Sequence, residues 1–294
     1  MIMRLQKVMA DSLKNFFFIS LFLLSTVCFA GGTGNVRYSR EDVRNFNEVM
    51  EILTPVRDSS LSELVIAVAR HFIGTEYVAS SIDIEPEMLT VSTTKTDCML
   101  FVEMCLAMSL TAKGDSPDFA SYCDNLRELR YRDGVVDGYA SRLHYTSEWI
   151  RQGESRGVFD EITGDLGGVP YAQKFNFMSS HPGLYRQLKD NPAETARIRE
   201  AERNLEKYEY RVIPKDRLAK AVSGIKTGDI VCFDQNTAGL DIAHVAFALR
   251  DGNTLTFIHA SSKAGKVVVN SVPLLEYTRG IKSHDGLRVV RLRK

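Results

Sequence analysis

Between residues 98 and 106 the apolar positions Cys98, Phe101, Val102, Cys105 and Leu106 fall at i, i+3, i+4, i+7 and i+8, the spacing of one helix face. Thr96 and Asp97 stand just ahead, and short polar side chains there cap free backbone N–H groups, so the pattern predicts a helix beginning at Cys98. Upstream, Leu61, Leu64, Val65 and Val68 form a second stripe behind Asp58-Ser59-Ser60, which predicts helix within residues 41–74. Residues 118–130 predict another, and residues 192–208 a charged helix with a solvated face. The period then changes. Residues 228–233, 243–249, 254–259, 266–270 and 287–292 read as strands bounded by turn residues. Helices first and antiparallel strands afterwards predict an α+β fold, with helices packed on an antiparallel sheet.

Two histidines stand out in the strand-like region. Arg250-Asp251-Gly252-Asn253 separates the runs 243–249 and 254–259, and Asp-Gly between two β-rich runs is a hairpin signal. A turn centred on Asp251-Gly252 pairs Arg250 with Asn253, Ala248 with Leu255 and Ala246 with Phe257, and it sets His244 opposite His259. Directly opposed residues have Cβ atoms roughly 5 Å apart, within reach of an imidazole–imidazole hydrogen bond. Cys98 sits where helix-start N–H groups and the macrodipole favour a thiolate, the nucleophilic form. A lone cysteine is more often a buried core residue. Nucleophile, base and orienting group together point instead to a cysteine hydrolase, with Cys98, His244 and His259 in those roles.

Composition narrows the setting. Lys plus Arg and Asp plus Glu both number 37, so charge gives no case for nucleic acid binding. Residues 1–30 read as a secretory signal peptide: Arg4, Lys7 and Lys14 precede an apolar run, and Cys28-Phe29-Ala30 ends on a small residue. The run is short for a membrane span, so no stable anchor is expected after cleavage. Export would place the chain in an oxidising compartment, yet a working Cys98 leaves Cys105, Cys123 and Cys232 as an odd set, expected to stay reduced and buried. The chain has no C-x-x-C and no H-x-x-x-H pair, so neither metal nor cofactor is expected.

Several ordered segments resemble one family. Asp97-Cys98 heading a helix, Ile242-Ala243-His244-Val245 opening one strand and Phe257-Ile258-His259-Ala260-Ser261-Ser262 closing another are similar to the NlpC/P60 cell-wall hydrolases. More narrowly the chain resembles the subfamily known as DUF1460, or N-acetylmuramoyl-L-alanine amidase-like. The match includes Gly74-Thr75-Glu76-Tyr77-Val78-Ala79, the run from Asp137-Gly138-Tyr139 through Arg142-Leu143-His144-Tyr145 to Trp149, Asn176-Phe177-Met178-Ser179-Ser180-His181-Pro182, and Gly239-Leu240-Asp241.

This resemblance implies a papain-like fold in which residues 31–294 form one domain. Residues 31–74 would supply N-terminal helices and residues 131–216 an inserted segment shaping the cleft. It implies an exported, periplasmic and monomeric amidase that cuts between the lactyl group of N-acetylmuramic acid and L-alanine in muropeptides, anhydromuropeptides included. Substrate contacts would come from Tyr77 beside the nucleophile and from Arg142, His144, Tyr145 and Trp149. Arg142 could grip a carboxylate in a bidentate fork, and Tyr145 and Trp149 could face a sugar ring. Asp241 either binds the substrate amide or ends a turn. Two alternatives stay open: a γ-D-glutamyl-diamino acid endopeptidase, and a noncatalytic muropeptide-binding protein.

Overall fold

The computed structural model describes residues 36–293, so the signal-peptide segment expected at residues 1–30 lies outside the described residues. Helices α1 (Arg40–Leu53), α2 (Leu61–His71), α3 (Cys98–Lys113) and α4 (Phe119–Arg130) come first. Each begins on a side-chain cap. Ser39 and Ser60 form reciprocal capping boxes with Asp42 and Glu63, while Asp97 and Asp118 accept first-turn N–H groups. Short strands β1 (Val36–Arg37), β2 (Glu76–Tyr77), β3 (Leu89–Thr90) and β4 (Lys95–Thr96) run among them.

The middle of the chain contributes α5 (Thr146–Ser155), β5 (Phe159–Glu161), β6 (Val169–Tyr171), α6 (Phe177–Ser180), α7 (Pro192–Leu205) and β7 (Tyr210–Pro214). Then follow α8 (Leu218–Ala221), β8 (Ile230–Gln235), β9 (Ile242–Asp251), β10 (Thr254–Ser261), β11 (Lys266–Val269), α9 (Leu274–Gly280) and β12 (His284–Leu292). The main sheet runs β4-β2-β11-β10-β9-β8-β12-β7-β6, with β5 also paired to β12. Every pairing in it is antiparallel except β2 with β4. The middle segment is therefore woven into the sheet through β5 and β7, both of which pair with β12.

Both faces of the central strands are covered. Ile230, Cys232, Val245, Phe247 and Ile258 pack with the cluster built on α1 to α4, whereas Val231, Phe233, Ala246, Ala248 and Phe257 pack with Leu218 and Ala221 of α8 and Leu274 of α9. Strands buried on two faces need apolar residues at successive positions, which is why residues 243–249 read as a nearly continuous apolar run.

The structure departs from the sequence pattern in two informative places. The pattern predicts a one-sided α3, but that helix is buried nearly all round, from Leu100 through Met108, because Leu100, Met104 and Met108 fill the side away from the predicted stripe. A helix apolar on all sides belongs at the centre of a core. The hairpin register also differs. Leu255 pairs with Arg250, Thr256 with Leu249 and Phe257 with Ala248, a slide of two residues from the predicted pairs. Gly252 alone takes positive φ in the turn, at 55°. That suits a type II′ turn with glycine first, Gly252-Asn253, and not one centred on Asp251-Gly252. Side chains alternate with period two, so the slide leaves His244 and His259 on the same face, now as diagonal neighbours.

Candidate active site

The site is assembled where the start of α3 meets the beginning of β9 and the end of β10. Asp97 sits in extended backbone and its Oδ1 accepts the N–H groups of Met99 (3.0 Å) and Leu100 (2.9 Å), which fixes the first turn and holds Cys98 at its outer edge. The half-buried thiol lies among the backbone N–H groups of Val245, Met99 and Cys98 itself. Val245 directly follows His244, so the start of β9 that carries His244 meets the start of α3 that carries Cys98. An N–H at the first position of a helix has no intrahelical acceptor, which leaves that of Cys98 available to an oxyanion.

His244 Nε2 and His259 Nδ1 are 2.7 Å apart, with ring centroids separated by 4.9 Å and nearly perpendicular planes. Diagonal placement achieves what direct opposition was expected to achieve. His259 is 3% exposed and its Nε2 is buried without a hydrogen-bond partner among the described residues. Burial, reinforced by His259 and then His284, lowers the pKa of His244 to about 3, and burial lowers that of His259 to about 4. Both rings are therefore neutral at pH 7.

The thiol is neutral too, contrary to the helix-terminus expectation. Burial, then the neighbouring Asp97 carboxylate, pushes Cys98 up to about 12 against the pull of the backbone N–H groups. The cap that starts the helix spends two of its free N–H groups on a carboxylate and adds a negative charge beside the sulfur. A neutral thiol and a neutral imidazole are the protonation states that general-base attack requires, in which the proton leaves sulfur as the new bond forms.

Of the expected substrate contacts, Tyr77 is the one brought to the thiol. It is half-buried on β2, and burial followed by Cys98 and Asp97 raises its pKa to about 12. Arg142 and His144 line a recess of about 230 Å³ beside the helix start, shared with Asp97, Asp83 and Tyr139. The Arg142 guanidinium is already committed, however. It forks onto Glu87 (2.7 Å to each oxygen) and also donates to Asp83 Oδ1 (2.6 Å) and the Ile82 carbonyl (3.0 Å). It therefore builds the wall of the recess and has no free fork for a ligand carboxylate. His144 places Nε2 2.8 Å from the Tyr139 carbonyl, and burial lowers its pKa to about 4.

Tyr145 and Trp149 are in the core, at 2% and 1% exposure, and present no face to a sugar. Tyr145 donates to Glu202 (2.8 Å), and Trp149 stacks on Phe159 with centroids 4.7 Å apart. Asp241 is also buried, with Oδ2 accepting the Ser147 N–H at 2.7 Å, which caps α5 and leaves no role at the substrate amide in this geometry.

Two residues of the site were not singled out by the sequence. Tyr277, on α9, packs its ring 4.9 Å from Phe257 and 6.3 Å from His259, and its pKa is raised by burial and by Cys98. His284 lies 5.4 Å from Phe233 and 6.2 Å from Tyr277 by ring centroids, and its Nδ1 is buried and unpartnered among the described residues. A histidine at the head of the last strand was the available signal for the second. Cys105, Cys123 and Cys232 are buried and free.

Comparison with known proteins places the chain in a family. The family described as AmiA-like, N-acetylmuramoyl-L-alanine amidase-like matches residues 67–286. A solved N-acetylmuramoyl-L-alanine amidase from Bacteroides uniformis is similar at 35% identity with TM-score 0.76, covering 80% of this chain and 99% of that one. A Bacteroides fragilis structure under a provisional xylanase name is similar at 36% identity and TM-score 0.71, covering 76% and 99%. A Legionella pneumophila protein of family DUF1460 shares the fold at 21% identity and TM-score 0.67, covering 85% and 95%. No curated protein sequence matches the chain significantly.

Proposed function

Since the chain belongs to the N-acetylmuramoyl-L-alanine amidase-like family, we propose that it is an exported cysteine amidase that hydrolyses the bond between the lactyl carbonyl of N-acetylmuramic acid and L-alanine in peptidoglycan fragments. The observation that carries this reading is the His244–His259 pair, closed at 2.7 Å, with His244 on the strand whose Val245 N–H meets the thiol that heads α3. Cys98 attacks the lactyl carbonyl while His244 takes its proton, and the oxyanion forms against the Cys98 N–H. His244 then protonates the amine of L-alanine, which leaves as free stem peptide. Water, activated by the same imidazole, hydrolyses the thioester and restores the thiol. His259 orients the ring of His244 throughout.

In this reading the protein is a papain-like member of the NlpC/P60 hydrolases, monomeric and periplasmic, acting on muropeptides without metal or cofactor. Tyr77 and Tyr277 border the nucleophile, and the recess walled by Arg142 and His144 takes part of the substrate. The xylanase name of one relative finds little support in this site. Glycoside hydrolysis uses two free carboxyl groups flanking the bond, whereas Asp97 caps α3, Asp83 is bonded to Arg142, and Glu103 is bonded to Arg130.

Digestion of a defined disaccharide tripeptide followed by mass spectrometry of the products tests the proposal. Free tripeptide and a peptide-free amino sugar are expected. Release of a diamino acid would reassign the enzyme as a γ-D-glutamyl endopeptidase, and unchanged substrate with tight binding would make it a noncatalytic receptor.

A further inference from the structure

A base is useful only if its lone pair faces the thiol, and the paired imidazoles can share their protons in two ways. His244 Nε2 is committed to His259 Nδ1, which leaves Nδ1 as the nitrogen available to Cys98. If His244 carries its proton on Nε2 and donates to His259, Nδ1 is an unprotonated base. If His259 donates instead, the proton of neutral His244 sits on Nδ1 and the ring cannot accept one from the thiol. The pair alone does not choose between these. The choice depends on what meets the far nitrogen, His259 Nε2, buried and without a hydrogen-bond partner among the described residues.

The next residue on that face is Asn270. His259 pairs with Val268 across β10 and β11, and the Asn270 N–H bonds the Phe257 carbonyl at 2.8 Å, so Asn270 lies diagonal to His259 on the same side of the sheet. Its amide is oriented by its own donor: Nδ2 gives a hydrogen bond of 2.6 Å to the Val272 carbonyl, while Oδ1 has no donor of its own among the described hydrogen bonds. A residue with a free acceptor oxygen thus shares a face with a buried nitrogen that lacks a partner. The Asn270 side chain also works against burial in the protonation of His259, as an acceptor would.

We propose that Asn270 is a positioning residue whose Oδ1 accepts the Nε2–H of His259, so that His259 Nδ1 must accept from His244 Nε2 and the lone pair of His244 Nδ1 is turned to Cys98. The chain of command runs Asn270, His259, His244, Cys98. This deepens the cysteine amidase reading and depends on it only for its kinetic consequence.

The test uses protein labelled with 15N-histidine, with long-range proton–nitrogen correlation at pH 7 read alongside turnover of a disaccharide tripeptide. In the wild type both His244 and His259 are expected as Nε2–H tautomers. In Asn270→Ala, His259 is expected to shift toward Nδ1–H and His244 with it, while kcat falls about 10-fold at nearly constant KM, by analogy with the outer partners of metal-binding histidines. Asn270→Asp keeps the acceptor but loses the bond to Val272, and is expected to retain the Nε2–H tautomer and most of kcat. An Nδ1–H tautomer on His259 in the wild type overturns the proposal. So do unchanged tautomers in Asn270→Ala, or an aspartate variant no better than the alanine one, which would reduce Asn270 to a structural tie to Val272. Should the wild type cleave no muropeptide, the amidase reading fails while the tautomer assignments still decide the role of Asn270.

Discussion

Two polar clusters flank the start of α3, and they are finished to different degrees. Around Arg142 the charged groups are matched: the guanidinium spends its donors on Glu87, Asp83 and the Ile82 carbonyl, and the neighbouring Arg130 is bonded to Glu103 and the Thr90 carbonyl. Around His244 the matching stops short. His284 Nδ1 is buried without a partner among the described residues, the far nitrogen of His259 has only the Asn270 amide proposed above, and burial together with the Asp97 carboxylate keeps the thiol neutral. Unmatched polar groups are expensive in a core and are retained where chemistry needs them. In the proposed amidase reading the first cluster is a structural wall and the second is the machinery.

Substitutions can break this contrast. Cys98→Ala is expected to remove turnover by about 10⁴-fold or more with an unchanged melting temperature, since the nucleophile acts as part of a unit and the side chain loses little volume. Comparable rates in the folded variant would dissolve the distinction between the clusters. Arg142→Ala acts on the other side. It strips the partner from the buried Glu87 carboxylate and from Asp83, so a loss of about 3–5 kcal/mol in denaturant unfolding is expected. If stability held and only KM rose, Arg142 would be a substrate clamp after all and the wall would belong to the machinery.

His259→Ala is expected to lower kcat by about 10²-fold with little change in KM, because His244 stays in place but loses its orienting partner. A further test alters no residue and reports protonation. With the thiol pKa near 12, the thiolate fraction and hence the rate of iodoacetamide labelling at Cys98 should rise about tenfold per pH unit from pH 7 to 10. A rate flat across that range would mean a resting thiolate–imidazolium pair, with the helix terminus outweighing burial.

What the sequence revealed, and what it concealed, follows the same division. The histidine pair was legible because strand parity survives a slide of two residues, so the choice of turn changed the partners without changing the face. The start of α3 was legible because caps are local: Asp97 reaches only two and three residues ahead. The fate of Arg142 was not. Its carboxylate partners lie 55 and 59 residues away in sequence, and the Ser147 N–H that claims Asp241 lies 94 away. Trp149 drew notice as the only tryptophan, but composition carries no information on which side of a helix is buried. The charge on Cys98 was misjudged because a helix-terminus argument counts free N–H groups and omits both the burial of the sulfur and the carboxylate that does the capping.

The central claim is that Cys98, aided by neutral His244, forms a thioester with the sugar side of the substrate. Intact-protein mass spectrometry of acid-quenched reactions with a disaccharide tripeptide, using His259→Ala to slow turnover, tests it directly. The account predicts a covalent adduct on Cys98 with the mass of the disaccharide lactyl acyl group and no peptide. An adduct containing L-alanine and D-glutamate would contradict the assigned bond, and product formation from a mixture in which no adduct forms on Cys98 would contradict the nucleophile itself.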